Sequence, residues 1–271
     1  MSVLALSRGD YAGIRGRCAE LGAGLVDPDA VAEAAVQRIR TGRDASPEGP
    51  PEAVVERACL DATSAALVRC ARDRAQQRSA RNRLVYLWRR QVLWWCRGLC
   101  GSRLSASDVA QGVLIRLMED LHQLRDEERF RTWLHSVTWR AVRGERRRAW
   151  FRRVTLWEPG PLARREQAAE ERPDALHGRA EEIRQVAAVM DRLDPESRDL
   201  LWLRYGEELS RREMLEVLGW AEGSLNRKLS RARAAFAQQA RRLGLREQGL
   251  ETLGVGSSAA PTARGRAGHE A

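Results

Sequence analysis

The sequence LDPESRDLLWLRYGEELSRREMLEVLGWAEGSLNRKLSRARAAF, Leu193–Phe236, contains three short helix patterns separated by strong stop signals. The first begins at Asp194, a suitable N-cap that is followed by a proline, and it ends at Gly206. The second begins at Ser210, where a glutamate three residues later completes a capping box, and it ends at Gly219. We therefore predict three helices joined by tight turns.

The third helix is predicted from about Glu222, with one apolar face and one basic face. The apolar positions recur at helical spacing and are Leu225, Leu229, Ala232 and Phe236. The side chains that point away from them are Ser224, Arg227, Lys228 and Arg231. This layout is typical of a helix-turn-helix, whose second helix presents its early residues to the major groove of DNA. The alternative is a helical hairpin with an ordinary solvated arginine face.

Composition limits the classes of function. The chain has 271 residues, a net charge of +10 and a pI near 10.4. Its 43% hydrophobic and 31% charged residues are typical of a soluble globular protein, and the length allows two domains. Nucleic acid is favoured over membrane as the anionic partner, because no apolar run approaches a spanning length. Lys228 is the only lysine, which indicates a GC-rich genome, so part of the arginine content has no functional meaning.

The sequence contains few signals for a cellular compartment or for a metal site. The first residues lack the basic start and long apolar core of a signal peptide, so we expect a cytoplasmic protein. The five cysteines are odd in number and lie in helical patterns, so free buried thiols are expected. Cys96 and Cys100 would share a helix face, but no nearby histidine or cysteine completes a tetrahedral set. No metal site and no cofactor are predicted.

Residues 1–78 are predicted to form a helical extension without a chemical motif. We expect an amphipathic helix over Pro28–Arg40, a loop over Thr41–Glu52, and a second helix from Ala53 to about Arg78. The sequence leaves open whether the extension packs on the following domain, holds the protein inactive or binds a partner. Packing is the plainer interpretation.

Residues 79–153 are predicted to form the next domain. A helix rich in tryptophan begins near Arg83 and ends at Gly101, and Ser105 or Ser107 caps the helix that follows. That helix, DVAQGVLIRLMEDLHQL, has an apolar stripe for the core. The polar side chains left for a partner are Asp108, Gln111, Arg116 and Glu119.

The segment FRTWLHSVTWRAVRGERRRAWFRR, residues 130–153, combines arginines with aromatic residues. The side chains expected outside its apolar face are Arg131, Trp139, Arg140, Arg143, Arg146, Arg147 and Arg148. This mixture suits a melted DNA strand, because arginines hold phosphates while exposed rings stack on bases. Trp133 is expected in the core, and Trp139 is the better candidate for a base contact.

The two blocks together resemble regions 2 and 4 of bacterial RNA polymerase sigma factors of the extracytoplasmic-function (ECF) group. The sequences that resemble region 2 are DVAQGVLIRLM and FRTWLHSVTWRAVRGERRR, and those that resemble region 4 are LDPESRDLLWLRY, EMLEVLG and GSLNRKLSRAR. The resemblance covers roughly Arg83–Arg242. It implies a protein that is not an enzyme, that binds core RNA polymerase, and that selects and melts promoter DNA. It also implies an anti-sigma factor as a further partner.

The resemblance assigns roles to the matching positions. Those implied to dock on core polymerase are Asp108, Gln111 and Arg116. The loop Arg125–Arg129 and the helix after it would capture the melted promoter element nearest the start site, through Arg131, Trp139, Arg140, Arg143, Arg146 and Arg147. The side chains implied to read the upstream element as duplex are Ser224, Arg227, Lys228 and Arg231.

Three positions depart from the family pattern. Gly112 stands where glutamate is usual, which removes a charge from the docking face and costs about 1 kcal/mol in a helix interior relative to alanine. Arg140 stands where asparagine is common, and Leu215 replaces a small alanine at the elbow of the helix-turn-helix. These changes bear on polymerase affinity and promoter preference, and they leave the expected fold unaltered.

The predicted fold is all-α, with two helical domains, a flexible linker between them and the helical N-terminal extension. The region 2-like domain covers residues 79–153, the linker 154–180, the region 4-like helix-turn-helix domain 181–244 and a disordered tail 245–271. The linker contains several prolines and mixed charge without an apolar stripe, and the tail is rich in Gly, Ser, Ala and Pro.

Two alternatives to an initiation factor stay open. One is a stand-alone transcriptional regulator that binds duplex DNA through the helix-turn-helix, and the other is a helical interaction protein with an incidental arginine surface. The block from Asp108 to Arg148 separates them, because a simple regulator needs neither a docking helix nor a helix of arginines and aromatic residues.

Overall fold

The computed structural model describes residues 8–41, 51–101, 104–156 and 185–244, and its regular elements in these ranges are helices. They are α1 (Arg8–Gly22), α2 (Pro28–Arg40), α3 (Pro51–Cys70), α4 (Gln77–Cys100), α5 (Ala106–Asp120), α6 (Phe130–Leu156), α7 (residues 185–191), α8 (Pro195–Leu201), α9 (Arg211–Leu218) and α10 (Glu222–Arg242). Two 3-10 turns cover Leu121–Gln123 and Glu127–Arg129, and a π-helical turn covers Trp202–Gly206. The predicted all-α class is confirmed.

Side-chain caps set the ends of the helices that the sequence predicted. The Ser105 hydroxyl accepts a hydrogen bond from the Asp108 N–H at 3.3 Å, which fixes the start of α5. Ser210 and Glu213 form the predicted capping box at the start of α9. Gly219 ends α9 with a φ of 67°, a left-handed conformation that glycine adopts without a Cβ penalty. These local predictions are confirmed.

Two predicted boundaries are wrong. The second helix of the extension ends at Cys70 instead of near Arg78, because the Asp73 carboxylate accepts from the Ala75 N–H and competes with helical hydrogen bonds. The tryptophan-rich helix α4 begins at Gln77 instead of near Arg83. The predicted end at Gly206 is confirmed, because the α-helix that stops at Leu201 continues as the π-helical turn to Gly206. Most of the predicted loop, nearly all of the linker and the tail lie outside the described residues, which exclude 42–50, 157–184 and 245–271.

The chain divides into two compact units that do not follow the order of the chain. The first contains residues 1–168 and 202–225, and the second contains 169–201 and 226–271. The π-helical turn, α9 and the start of α10 therefore belong to the same unit as α1–α6. The two units are defined by contacts within the fold and do not test the domain limits expected from the sequence. Those limits stay a prediction.

Trp88 of α4 lies at the centre of the first unit and is fully buried. Its indole N–H donates to the Ser64 hydroxyl of α3 at 2.9 Å, and Ser64 donates in turn to the Leu60 carbonyl at 2.7 Å. The Trp88 ring lies 5.5 Å from Phe130 of α6 and 5.7 Å from Trp95, measured between ring centroids. One side chain thus joins three helices, and its indole N–H has a partner.

Helices α1–α3 share an apolar core and pack on α4. The core residues include Ile14, Cys18, Val31, Ala35, Ile39, Ala58 and Ala62. The Arg83 guanidinium of α4 donates to the carbonyl oxygens of Leu21 at 2.7 Å and Glu20 at 2.6 Å. These bonds use carbonyl groups that the last turn of α1 leaves without helical partners. The extension therefore packs on the following helix, as the plainer interpretation predicted.

Glu207 places a carboxylate in the interior of the first unit, where its side chain is only 4% exposed. It accepts hydrogen bonds from the Trp95 indole N–H at 2.5 Å and from the Gln91 amide at 3.3 Å. His135 Nε2 lies 3.6 Å from the same carboxylate, and the His135 ring is 3.8 Å from the Trp95 ring between centroids. Burial lowers the pKa of His135 more than the nearby carboxylate raises it, so the ring is neutral at pH 7.

The π-helical turn is anchored beside Glu207 by Trp202. Its ring centroid lies 5.3 Å from that of Trp94, and a Cβ built on Gly98 of α4 would overlap the Trp202 ring. Gly98 is therefore required by a close approach between a ring and the helix backbone. These contacts hold the segment that leads into α9 against α4.

In the second unit, Asp194 caps α8 as predicted, and its carboxylate accepts from the Ser197 N–H at 3.0 Å. Arg198 donates to the carbonyl oxygens of Met190 at 2.9 Å and Asp191 at 3.0 Å. The buried positions of α10 in this unit are Leu229, Ala232, Phe236 and Ala240, spaced by three or four residues. The predicted apolar face of α10 is confirmed.

All five cysteines are free thiols, and four are buried, with Cys70 half-buried. Burial raises the pKa of the Cys96 thiol, so it stays protonated. Within the described ranges, no cluster of three or more His, Cys, Asp or Glu side chains could hold a metal ion. No helix in the same ranges is long and apolar enough to cross a membrane.

Because His135 is buried and neutral, we expect the free energy of unfolding to fall in mild acid. Its pKa is lowered in the folded protein, so below the unfolded value of about 6.5 the unfolded chain binds the proton more readily. We expect the free energy of unfolding, measured with urea, to be constant above about pH 7 and to fall between pH 6.5 and pH 5.5. His135→Gln should lose most of this dependence, whereas His122→Gln, an exposed control, should keep it. An equal pH dependence in all three proteins would contradict the assignment.

Candidate nucleic-acid interface

Two exposed arginines lie in the first half of α10. Arg227 and Arg231 lie one helical turn apart, and both are exposed. Ser224 is half-buried, and its hydroxyl donates to the Ala221 carbonyl at 2.8 Å. Lys228 is paired with Glu196 at 2.5 Å, and both side chains are partly exposed. Of the four residues predicted to read duplex DNA, Arg227 and Arg231 are therefore the best placed. Lys228 would have to give up its ion pair with Glu196 to contact DNA.

Three exposed arginines of α6 fall on one stripe. Arg140, Arg143 and Arg147 are three and four residues apart, which places them on the same side of the helix. The Arg140 guanidinium donates to the Ser136 carbonyl of its own helix at 3.2 Å. The Arg143 guanidinium lies 4.6 Å from the centroid of the Trp139 ring. We call these three residues the α6 arginine stripe.

The predicted exposure of Arg131 and Arg146 is wrong. Arg131 is 3.4 Å from the buried Asp61 carboxylate of α3, and its guanidinium lies 5.5 Å from the Trp88 ring. Arg146 donates to the Leu99 carbonyl near the end of α4. Both side chains support contacts between helices. The spacing of residues within α6 cannot show this, because the partners come from α3 and α4.

Trp133 and Trp139 of α6 do not have the burial expected for them. Trp139, predicted to offer an exposed ring, is only 6% exposed. Trp133, expected in the core, is half-buried, and its ring lies 5.9 Å from Phe130. One face of Trp139 supports Arg143 of the stripe, so this ring positions a cation and does not present itself for stacking.

An exposed aromatic pair was missed by sequence reasoning. Trp150 and Phe151 are 57% and 54% exposed, and their ring centroids are 5.0 Å apart in an edge-to-face arrangement. Their spacing from Arg147 continues the α6 arginine stripe. The signal was present, because two aromatic residues directly after a run of arginines are unusual on a solvated helix.

Glu145 of α6 is paired with two arginines of the same helix. Arg152 and then Arg148 lower the pKa of Glu145, which both of them contact.

The loop before α6 is compact. Its Asp126 carboxylate accepts from the Glu128 N–H at 3.0 Å and caps the 3-10 turn. Arg125 is exposed, and Arg129 lies 3.5 Å from Asp126 and 3.5 Å from Glu216 of α9. A hydrogen bond within the residue itself and then Arg69 lower the pKa of Glu127, which keeps this carboxylate charged.

Helices α4 and α5 form an open groove of about 510 Å³. It is lined by Asn82, Val85, Tyr86, Arg89, Gln111, Leu114, Ile115 and Met118. Tyr86 and Ile115 are about half exposed, and the Arg89 guanidinium lies 4.0 Å from the Tyr86 ring. Sequence reasoning missed the α4 side of this groove, because those residues become neighbours of α5 only when the helices pack.

The residues predicted to dock on polymerase lie on two sides of α5. Asp108 and Gln111 are exposed, and with Ile115 they follow one stripe. Arg116 is half-buried and lies off that stripe. At Gly112, a Cβ would meet no atom within 4 Å, so packing does not require glycine there.

Comparison with known proteins matches both parts of the chain. The model of Sigma-70 region 2 matches residues 84–152, and the model of Sigma-70 region 4 matches residues 183–236. The RNA polymerase sigma factor YlaC of Bacillus subtilis is 26% identical over 132 residues, which are 48% of this chain and 73% of that protein. The ECF RNA polymerase sigma factor SigL of Mycobacterium tuberculosis is 28% identical over 178 residues, which are 65% of this chain and 95% of that protein.

A third relative is less completely covered. The probable RNA polymerase sigma factor RfaY of Xanthomonas campestris is 30% identical over 141 residues, which are 50% of this chain and 34% of that protein. An all-helical chain that carries both matched regions in this order has the architecture of a promoter-recognition factor. The chain belongs to the sigma-70 family of RNA polymerase sigma factors, in its ECF group.

The α6 arginine stripe predicts a change in salt dependence. We expect the triple variant Arg140→Ala, Arg143→Ala, Arg147→Ala, in complex with core polymerase, to bind forked DNA with a weaker dependence on salt. The slope of log affinity against log salt should fall by about 0.7 for each single-strand phosphate that the variant no longer neutralises, or about 2 in all. Anisotropy titrations at several salt concentrations measure it.

A matched control uses arginines of the same helix that already have a carboxylate partner. Arg148→Ala with Arg152→Ala removes two charges that contact Glu145, and it should change the slope by much less. Equal slopes for the wild type and the triple variant would show that the stripe does not hold phosphates.

Proposed function

We propose that this sigma factor divides promoter recognition among three surfaces. The groove between α4 and α5 binds core polymerase, the α6 arginine stripe holds the melted strand, and Arg227 and Arg231 of α10 read the upstream element. The protein acts in the cytoplasm and supplies binding free energy, while the polymerase carries out the chemistry. The observation that carries the proposal is that one chain has the groove and the stripe in addition to a helix-turn-helix.

The groove has the composition of a protein-binding surface. Tyr86 and Ile115 expose apolar area on facing helices, and Gln111 and Asn82 add polar groups to the lining. Asp108 is exposed one helical turn before Gln111 on α5. Exposed aromatic and aliphatic side chains with a polar rim are typical of sites that bind another protein. An anti-sigma factor, expected from the family, would inhibit by competing for this groove.

The stripe has the charge and spacing needed for a DNA backbone. Arg140, Arg143 and Arg147 lie on one side of the helix and form no ion pair with a carboxylate among the described residues. Each guanidinium group can therefore contact a phosphate. Trp150 and Phe151 extend the same side with exposed rings, which are the groups that stack on unpaired bases. The combination favours a melted strand over an intact duplex.

The upstream element is assigned to α10. Arg227 and Arg231 point outward from the helix that follows the turn at Gly219, and arginine can donate two hydrogen bonds to the major-groove edge of guanine. Each such contact discriminates between bases by about 1–3 kcal/mol. Lys228 and Ser224 are proposed to support this contact from the same part of the helix.

Run-off transcription tests the proposed function. The protein is added to purified core polymerase with a library of fragments from its own genome, and the transcripts are sequenced. We expect discrete starts that share two upstream elements, and Arg227→Ala should relax base preference only at the element farther from the start. Binding of the protein alone to specific duplex DNA, without any transcripts, would instead support a stand-alone regulator.

Gly112 allows the docking surface to be tested with two substitutions at one site. Gly112→Ala should raise the free energy of unfolding by about 0.5–1 kcal/mol, because alanine favours the helix and the site has room for a Cβ. Gly112→Glu restores the charge usual in the family, so we expect tighter binding to core polymerase than with either the wild type or Gly112→Ala. Competition assays against a second sigma factor measure this affinity. Equal affinity of the two variants would show that charge at this position plays no part in docking.

A further inference from the structure

We propose that Arg38 of α2 is a positioning residue for promoter recognition, because it holds the loop Arg125–Arg129 in place from the N-terminal extension. The inference rests on the proposed function, in which this loop and α6 contact the melted element. It goes further by giving the extension a role in sequence selectivity. Helices α1–α3 lie outside the two matched sigma regions, which begin at residue 84.

Arg38 links the loop to the core through two carboxylates. The residue is 7% exposed, and one guanidinium nitrogen lies 2.5 Å from the Glu128 carboxylate of the loop. Another lies 3.6 Å from the buried Asp61 carboxylate of α3. Asp61 also lies 3.4 Å from Arg131 in the first turn of α6. A single network therefore connects α2, α3, the loop and the start of α6.

Two more arginines hold the first half of the loop. Arg69 lies 3.4 Å from the Glu127 carboxylate, and Arg72 lies 3.2 Å from the same group. Arg72 also donates to the backbone carbonyls of Leu124 at 3.1 Å and Arg125 at 3.2 Å. Both the side chains and the backbone of the loop are thus bound by the N-terminal part of the chain.

The network also decides which charges the loop presents. The loop sequence RDEER contains three acidic and two basic residues, so by itself it has one negative charge and would repel DNA. Glu127 and Glu128 are half-buried against Arg38, Arg69 and Arg72, whereas Arg125 and Arg129 are exposed. The extension therefore neutralises Glu127 and Glu128. The charged side chains that stay exposed are Arg125, Arg129 and Asp126, and the last two lie 3.5 Å apart.

A guanidinium suits this position better than an ammonium. Arg38 must reach carboxylates on two different elements at once, and the planar fork of arginine offers several donors in fixed directions. Lysine would keep the charge but could not hold both carboxylates in the same geometry. The conservative variant therefore separates positioning from charge.

The experiment uses the full chain with core polymerase and a promoter library randomised at the downstream and upstream elements. Arg38→Gln should reduce base selectivity at the downstream element roughly tenfold, while upstream selectivity and polymerase affinity are unchanged. Arg38→Lys should fall between Arg38→Gln and the wild type. Arg40→Gln, at the exposed end of the same helix, is the control and should match the wild type.

A purely structural role gives a different result. In that case Arg38→Gln lowers the melting temperature and the total amount of transcript but leaves base preference unchanged, which would overturn the proposal. If Arg38→Gln does not fold, Glu128→Gln provides the same readout, because it removes only the loop partner and leaves Asp61 paired. Unchanged downstream selectivity in that variant would also overturn it. Absence of transcripts with the wild-type protein would instead contradict the proposed function itself.

Discussion

The first unit depends on the burial of Trp88 with its indole N–H satisfied. A large ring removed from water contributes strongly to stability, but only if its polar atom keeps a hydrogen bond. Ser64 accepts that bond and donates its own hydroxyl proton to the Leu60 carbonyl, so no polar group in the chain of bonds is left unpaired. Since Ser64 belongs to α3, the helix before the matched regions is part of the core on which α4 and α6 pack.

Charged groups in the same interior follow a similar rule. Asp61 and Glu207 are both nearly inaccessible, and a buried carboxylate is costly unless it is paired or hydrogen-bonded. Asp61 is shared between Arg38 and Arg131, and Glu207 accepts from Trp95 and Gln91. Each carboxylate therefore ties together segments distant in sequence. These links help to explain why the extension and the segment before α9 belong to one compact unit with α6.

Local sequence patterns predicted a large part of the fold because their causes are local. The capping box at Ser210, the left-handed Gly219 and the bounds of α2 needed only neighbouring residues and helical spacing. The candidate site was predicted less well. Arg131 and Trp139 were expected outside because helical spacing shows only which residues share a side of one helix. How much of a helix other elements cover depends on partners that spacing does not reveal, here α3 and α4 for Arg131.

The sequence by itself determined the all-α class, the helix-turn-helix, the family resemblance and the concentration of arginine on α6 and α10. Tertiary structure decided which arginines are available: Arg140, Arg143 and Arg147 face outward, whereas Arg131 and Arg146 serve the packing of helices. It also turned an unassigned extension into the support of the loop before α6. The physical reason is that helix formation follows from neighbouring residues, whereas exposure and charge pairing follow from contacts between distant ones.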